Sequence, residues 1–148
     1  MSDDALPVQR VTLITLGVRD LERARAFYAA LGWSPAQEAP GVAFYQIHGA
    51  ALALFGLQDL AADQGRPHAT LGTGAATLAQ NFRTHEEVDA AFARGVAAGA
   101  SVLKRPEPTE WGGYAGYFAD PDGHVWELAV NPFWPLGPDG SLTLPGAA

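Results

Sequence analysis

The sequence predicts an α+β fold in which one β-α-β-β-β unit occurs twice. Three observations carry this. Residues 11–33 and 76–99 align at an offset of 65, with Thr12 on Thr77, Leu13 on Leu78, Glu22 on Glu87, Ala26 on Ala91 and Phe27 on Phe92. Tyr117–Pro132 reads as a strand, a tight turn and a second strand. The 17 Gly and 11 Pro in 148 residues imply a turn-rich chain rather than a helical bundle.

The elements follow in chain order. Val11–Val18 is β-branched and loosely alternating, a strand. Asp20 is placed to cap the helix behind it, where Leu21, Ala24, Phe27, Tyr28 and Leu31 form one apolar face and Gly32 is the stop. Val42–His48 and Ala51–Phe55 read as strands joined at His48-Gly49-Ala50. Residues 59–75 are small, polar and Gly-rich, as a linker is. In the second copy Thr84 and Glu87 make a capping box, and Val88, Ala91, Phe92, Val96 and Gly99 continue the helical period. Ser101–Lys104, Ala115–Ala119 and Val125–Val130 are strands. The last two are joined by Asp120-Pro121-Asp122-Gly123, where Pro presets φ and Gly accepts positive φ. The expected organisation is a first module over 8–58, the linker over 59–75, a second module over 76–132 and a tail over 133–148. About 60 residues is small for an independent core, so the modules are expected to pack together or with those of a second chain.

Composition excludes several classes. A net charge of −7 with no basic patch argues against nucleic acid and anionic membrane surfaces. The absence of cysteine rules out disulfides, thiol catalysis and thiolate metal sites. No apolar run approaches the roughly 20 residues of a membrane span. MSDDALPVQR lacks the apolar region of a signal peptide, so a cytoplasmic location is expected.

These motifs together resemble the vicinal oxygen chelate superfamily of glyoxalases, bleomycin-resistance proteins and dioxygenases. The carrying residues are Leu16-Gly17-Val18-Arg19-Asp20-Leu21, Phe27-Tyr28 and Leu31-Gly32-Trp33, then Asp120–His124 and Trp126-Glu127-Leu128. The resemblance implies two βαβββ modules forming a curled mixed sheet around a cavity, within a homodimer. In metal-dependent members it also implies one His or Glu ligand from each of four strands. Only Glu127 matches such a position. Leu13 and Thr77 (or Leu78) stand at two others, and residues 41–58, which hold the remaining one, contain no acidic residue. One carboxylate is not a metal site, so neither a metal nor another cofactor is expected.

The expected function is binding of a small amphipathic or cationic molecule in a metal-free cavity. Alternation on the last strand puts Glu127 on a face with no other charge, which makes it the candidate catalytic residue as well as a ligand contact. Phe44, Gln46 and His48 share one face of their strand, opposite Ala43, Tyr45 and Ile47, and the pattern assigns neither face inward. Phe55, Gln80, Trp111 and Tyr114 complete the candidate contacts, the last two flanking a Gly112-Gly113 hinge that lets a backbone approach a ligand. Alternatives are an enzyme with Glu127 as general base, or a lyase or dioxygenase with a displaced metal site at Glu127, His48 and Gln80. His124 and His85 are read as water-facing and His68 as linker. Phe133 and Trp134 in the Pro-rich tail are expected to be covered, across a dimer interface or over the cavity mouth.

Overall fold

A computed structural model describes Leu6 and residues 8–147. The N-terminal reading above therefore falls largely outside the described residues. The first unit is β1 (Leu13–Val18), α1 (Leu21–Ala30), β2 (Gln37–Ala39), β3 (Val42–Ile47) and β4 (Ala50–Gly56). A short helix, α2 (Leu57–Asp63), follows. The second unit is β5 (Thr77–Asn81), α3 (His85–Ala98), β6 (Ser101–Pro108), β7 (Tyr114–Ala119) and β8 (Val125–Val130). Each unit forms its own four-stranded sheet, ordered β1-β4-β3-β2 and β5-β8-β7-β6. In both, the first strand runs parallel to the last and the other neighbours are antiparallel. The repeat in sequence is thus a repeat in topology. The two sheets remain open and separate rather than joining into one curled sheet.

Some element boundaries differ from the sequence reading. The first strand begins at Leu13 rather than Val11, and β2 is an added three-residue edge. β6 runs on to Pro108, with register shifts at Val102/Lys104 and Lys104/Glu107, a bulged edge that simple alternation does not reveal. The segment read as linker begins inside α2. Leu57 and Leu60 of that helix pack onto Gly17, where an added Cβ would lie 2.7 Å from Leu57 Cδ2. A seven-residue helix is too short to stand on propensity, and this contact is what fixes it.

The long helices start where capping chemistry places them. Asp20 Oδ1 accepts from the Arg23 N–H at 3.1 Å. Thr84 Oγ1 accepts from the Glu87 N–H at 3.1 Å and stands 3.2 Å from Glu87 Oε1 as its donor. Each cap satisfies an otherwise orphaned backbone donor. α3 ends at Gly99 in the left-handed region, φ 111°.

One core serves both modules. Sheet one contributes Leu16, Val18, Tyr45, Leu52 and Leu54, and sheet two contributes Phe118, Trp126 and Leu128. Phe27 and Tyr28 of α1 and Val88 and Phe92 of α3 complete it. Phe27 meets Phe118 edge-on at 6.3 Å, and Tyr28 lies 6.1 Å from Trp126. So the first helix, which lies against β4 of its own sheet and beside α3, also touches the second sheet. Each fully buried Leu of this cluster contributes about 1.5–3 kcal/mol relative to exposure. The opposite face of each sheet points away from this core.

The β7–β8 hairpin locks the modules together. Trp126 Nε1 donates to the Tyr28 hydroxyl at 3.0 Å, which donates to Asp120 Oδ2 at 2.6 Å. Asp120 Oδ1 accepts the backbone N–H groups of Asp122 and His124, both at 2.9 Å. Burial, then the Asp120 charge, pushes the Tyr28 hydroxyl far above its ordinary pKa. Asp122 Oδ1 takes the Arg19 N–H at 2.8 Å, with Arg19 Nε and an Arg23 guanidinium nitrogen each at 3.2 Å. His124, expected to face water, is half-buried, its Nε2 2.7 Å from the Gly17 carbonyl. A carbonyl only accepts, so Nε2 carries the proton. His85 is exposed, as expected, and so is His68.

Candidate functional site

The expected residues divide among three places. Glu127 lies on the outer face of sheet two, half-buried, and its Oε2 accepts from the Tyr117 hydroxyl at 3.0 Å. Tyr117 and Glu127 are register partners on β7 and β8, with Ala79 of β5 beyond. Burial, then the hydrogen bond to Glu127, raises the Tyr117 pKa. Leu13 and Thr77, which stand at two of the other ligand positions that the resemblance implies, lie on outward faces too, and neither is a ligand for such a centre. Among the described residues no group of three or more His, Cys, Asp or Glu is placed to hold a metal ion. The donor set does not fit a family-type metal centre, and no step is derived through one.

The second place is a cavity of ≈ 530 Å³ between the modules. Gln46 and His48 reach it from the first module, Gln80 and Asn81 from the second, with Trp33 and Trp126 among its apolar walls. Three of the expected contacts, Gln46, His48 and Gln80, therefore meet. Gln46 Nε2 donates to the Ile47 and Ala50 carbonyls at 2.8 and 2.9 Å, which folds the amide onto the β3–β4 turn at the rim of the cavity, on the strand face it shares with Phe44. Trp33 is held by Tyr28, Tyr45 and Trp126 at ring distances of 5.7, 5.8 and 5.7 Å. The sequence reading took Trp33 only as part of a motif. An aromatic directly after the helix-ending Gly32, where the chain turns back over its own helix, is the signal that points to it. The tail closes one side: Gly140 lines the cavity beside His48. Hydrogen bonds from Ser141, aided by His48, lower the Asp139 carboxyl pKa.

The remaining candidates stand apart. Phe44 and Phe55 are half-buried on the outer face of sheet one. Trp111 is 47% exposed in the β6–β7 loop and folds over Gly113, where a Cβ would fall 2.1 Å from its ring. Tyr114 does not join Trp111 in an aromatic wall. It stacks on His85 at 4.1 Å and donates to Asp89 Oδ1 at 2.6 Å, both on α3. Alternation explains this, since Tyr114 shares the face of Phe118 whereas Tyr117 shares that of Glu127. Phe133 and Trp134 are 62% and 40% exposed, so the chain itself does not cover them as expected.

Comparison with known proteins adds the family. The model of the Glyoxalase/Bleomycin resistance protein/Dioxygenase superfamily matches residues 10–128. No curated protein matches the chain. Among solved structures, a glyoxalase-related enzyme from Fulvimarina pelagi is 44% identical over 95% of this chain and 100% of its own, with a TM-score of 0.88. A glyoxalase/bleomycin resistance protein/dioxygenase from Nocardioides is 26% identical over 86% of each chain, with a TM-score of 0.71. Lactoylglutathione lyase from Agrobacterium tumefaciens is 26% identical over 87% of this chain and 98% of its own, with a TM-score of 0.67. Among the described residues no helix is long and apolar enough to cross a membrane. With the doubled βαβββ topology, the match over residues 10–128 places this chain in the glyoxalase/bleomycin resistance protein/dioxygenase superfamily.

Proposed function

We propose that this chain binds a small amphipathic organic molecule, without a family-type metal, in the cavity between its modules. The observation that carries the reading is the meeting of indole surface from Trp33 and Trp126 with Gln46, His48 and Gln80 in one space of ≈ 530 Å³. Aromatic walls with few polar groups suit a flat ligand that is oriented by amide hydrogen bonds. The net charge of −7 and the Asp139 carboxylate near His48 favour a cationic one. Titration with planar cationic compounds, read by tryptophan fluorescence, tests this. Saturable quenching that weakens about tenfold in Gln80→Leu supports it. No saturable change with any such compound, or the same change in Gln80→Leu, sinks it.

Glu127 supports a second reading, proton abstraction from a carbonyl-activated carbon. The Tyr117 hydroxyl orients Oε2 and leaves Oε1 to take the proton. On this reading a second copy completes the site. Phe44 and Phe55 of one copy cover Glu127 of the other, and Trp111, Phe133 and Trp134, exposed in the single chain, become buried. Sedimentation of a dimer, with turnover lost in Glu127→Gln and dimerisation kept, supports this reading. A monomer at micromolar concentration removes it.

A further inference from the structure

We propose that a recess beside the cavity described above is a separate binding site for one benzene-sized ring that bears a neutral hydroxyl, a phenol. The recess, of ≈ 170 Å³, lies between α3, the end of α1 and the core-facing side of sheet two. It shares Trp33, Gln80 and Phe82 as walls with the larger cavity, and Leu31, Phe118 and Leu128 bound it elsewhere. An apolar cavity of about 150 Å³ is large enough to take a benzene ring. Arg94 is the one charged wall, and it is exposed; no carboxylate lines the space. A cation is therefore disfavoured here, in contrast to the larger cavity, and a neutral ring is favoured.

The duplication explains why the space fits a ring. The seventh residue after the N-cap is Phe27 in α1, counted from Asp20, and Ala91 in α3, counted from Thr84. Phe27 is 2% exposed and fills the core with its ring, whereas Ala91, a wall of the recess, leaves that ring out. The fourth residue of the first strand is Leu16 in β1 and Gln80 in β5. Leu16 is buried opposite Leu54, and Gln80 stands in the same way opposite Leu128, bringing a carboxamide to the core-facing side. Two places that the first module fills with hydrocarbon are thus a gap and an amide in the second. Among the described residues no hydrogen bond engages the Gln80 side chain. Its polar atoms are not sealed in either, so they are open to a partner. A half-buried amide without a protein partner gains most from one supplied by a ligand, and its oxygen accepts a phenolic O–H.

Titration of the isotope-labelled protein with phenol and with toluene, followed through its backbone amide NMR signals, tests the assignment. Toluene has the same shape, with a methyl in place of the hydroxyl. The expected result is a set of saturable shifts centred on Gln80 and Ala91 with phenol. Ala91→Phe, which restores the ring of the first module, should abolish them. Gln80→Leu, which restores its hydrocarbon, should weaken phenol about tenfold relative to toluene, the worth of one hydrogen bond to a buried amide. His48→Ala should bind both as the parent does, since His48 lines only the larger cavity. The same spectra show whether each variant is folded, and Ala91→Leu replaces Ala91→Phe if the larger ring is not accommodated. Absence of saturable shifts overturns the proposal. So does unchanged phenol binding in the folded position-91 variant, or an unchanged phenol-to-toluene ratio in Gln80→Leu. None of these outcomes depends on whether planar cations bind in the larger cavity.

Discussion

The two modules share a topology but not a division of labour, and their corresponding hairpins show it. The β3–β4 turn is His48-Gly49, exposed, with Gly49 at φ 69°. The β7–β8 turn is longer, its Asp120 is 2% exposed, and its side chains reach α1 and β1 of the other module. The outer faces differ as well. That of sheet one is partly covered by α2 through Leu57, Leu60 and Gly17, whereas that of sheet two carries the Tyr117–Glu127 pair. Duplication supplied two equal frames. One hairpin became the fastener, and its counterpart was left free to border a cavity.

The sharpest test of that asymmetry is to cut each hairpin. Asp120→Ala removes the acceptor of the Tyr28 hydroxyl and of two backbone N–H groups, all in a buried setting. Loss of about 3 kcal/mol of unfolding free energy is expected in urea titration. His48→Ala in the counterpart turn should stay within about 0.5 kcal/mol of the parent, as exposed substitutions do. Similar losses in both variants would break the comparison.

This also marks what was legible in the sequence. Asp-Pro-Asp-Gly announces a turn from local chemistry alone, and the helix caps at Asp20 and Thr84 are equally local. The burial of Asp120 was not legible, because the donor to its Oδ2 sits on Tyr28, 92 residues away. The same holds for His124 and Gly17, 107 residues apart. Alternation, which is local, puts Glu127 on the face opposite Trp126 and Leu128, but that this face is the one turned away from the core was not legible. That His48 and Gln80 border one cavity while Glu127 does not depends on how the two sheets are set on their shared core, and no spacing encodes it. α2 was missed for a related reason: its support is the notch at Gly17, not its own seven residues.

A second contrast lies in the two long helices. At the offset of 65, Gly95 of α3 corresponds to Ala30 of α1. Ala30 is exposed, whereas a Cβ at Gly95 would fall 2.2 Å from Phe118 Cε2. Gly95→Ala gains about 1 kcal/mol of helix propensity but pushes α3 off its sheet, so a net loss of about 2 kcal/mol is expected. Ala30→Gly should cost about 1 kcal/mol or less, from propensity alone and near a helix end. Denaturant midpoints of the pair read this directly. A stabilised Gly95→Ala would mean that α3 is not pressed on Phe118.

The smallest effect concerns the proton at the seam. Tyr28 of the first module is held neutral against Asp120 of the second, with its pKa raised by burial and by that carboxylate. A raised folded-state pKa means that the native state keeps this proton more tightly than the unfolded chain does. The contribution is complete below the unfolded tyrosine value near 10 and declines as pH rises above it, by about 1.4 kcal/mol per unit until the folded-state value is reached. Urea titrations at pH 8, 10 and 11 should show the fall in the parent. Tyr28→Phe should be less stable at pH 8, because it strands Asp120 Oδ2 and the Trp126 N–H, but its decline above pH 10 should be shallower. Tyr45, Tyr114 and Tyr117 also have raised values, so some slope persists in the variant. A slope identical to that of the parent would show that the seam opens before Tyr28 titrates, and that the fastening by the second hairpin is weaker than its hydrogen bonds imply.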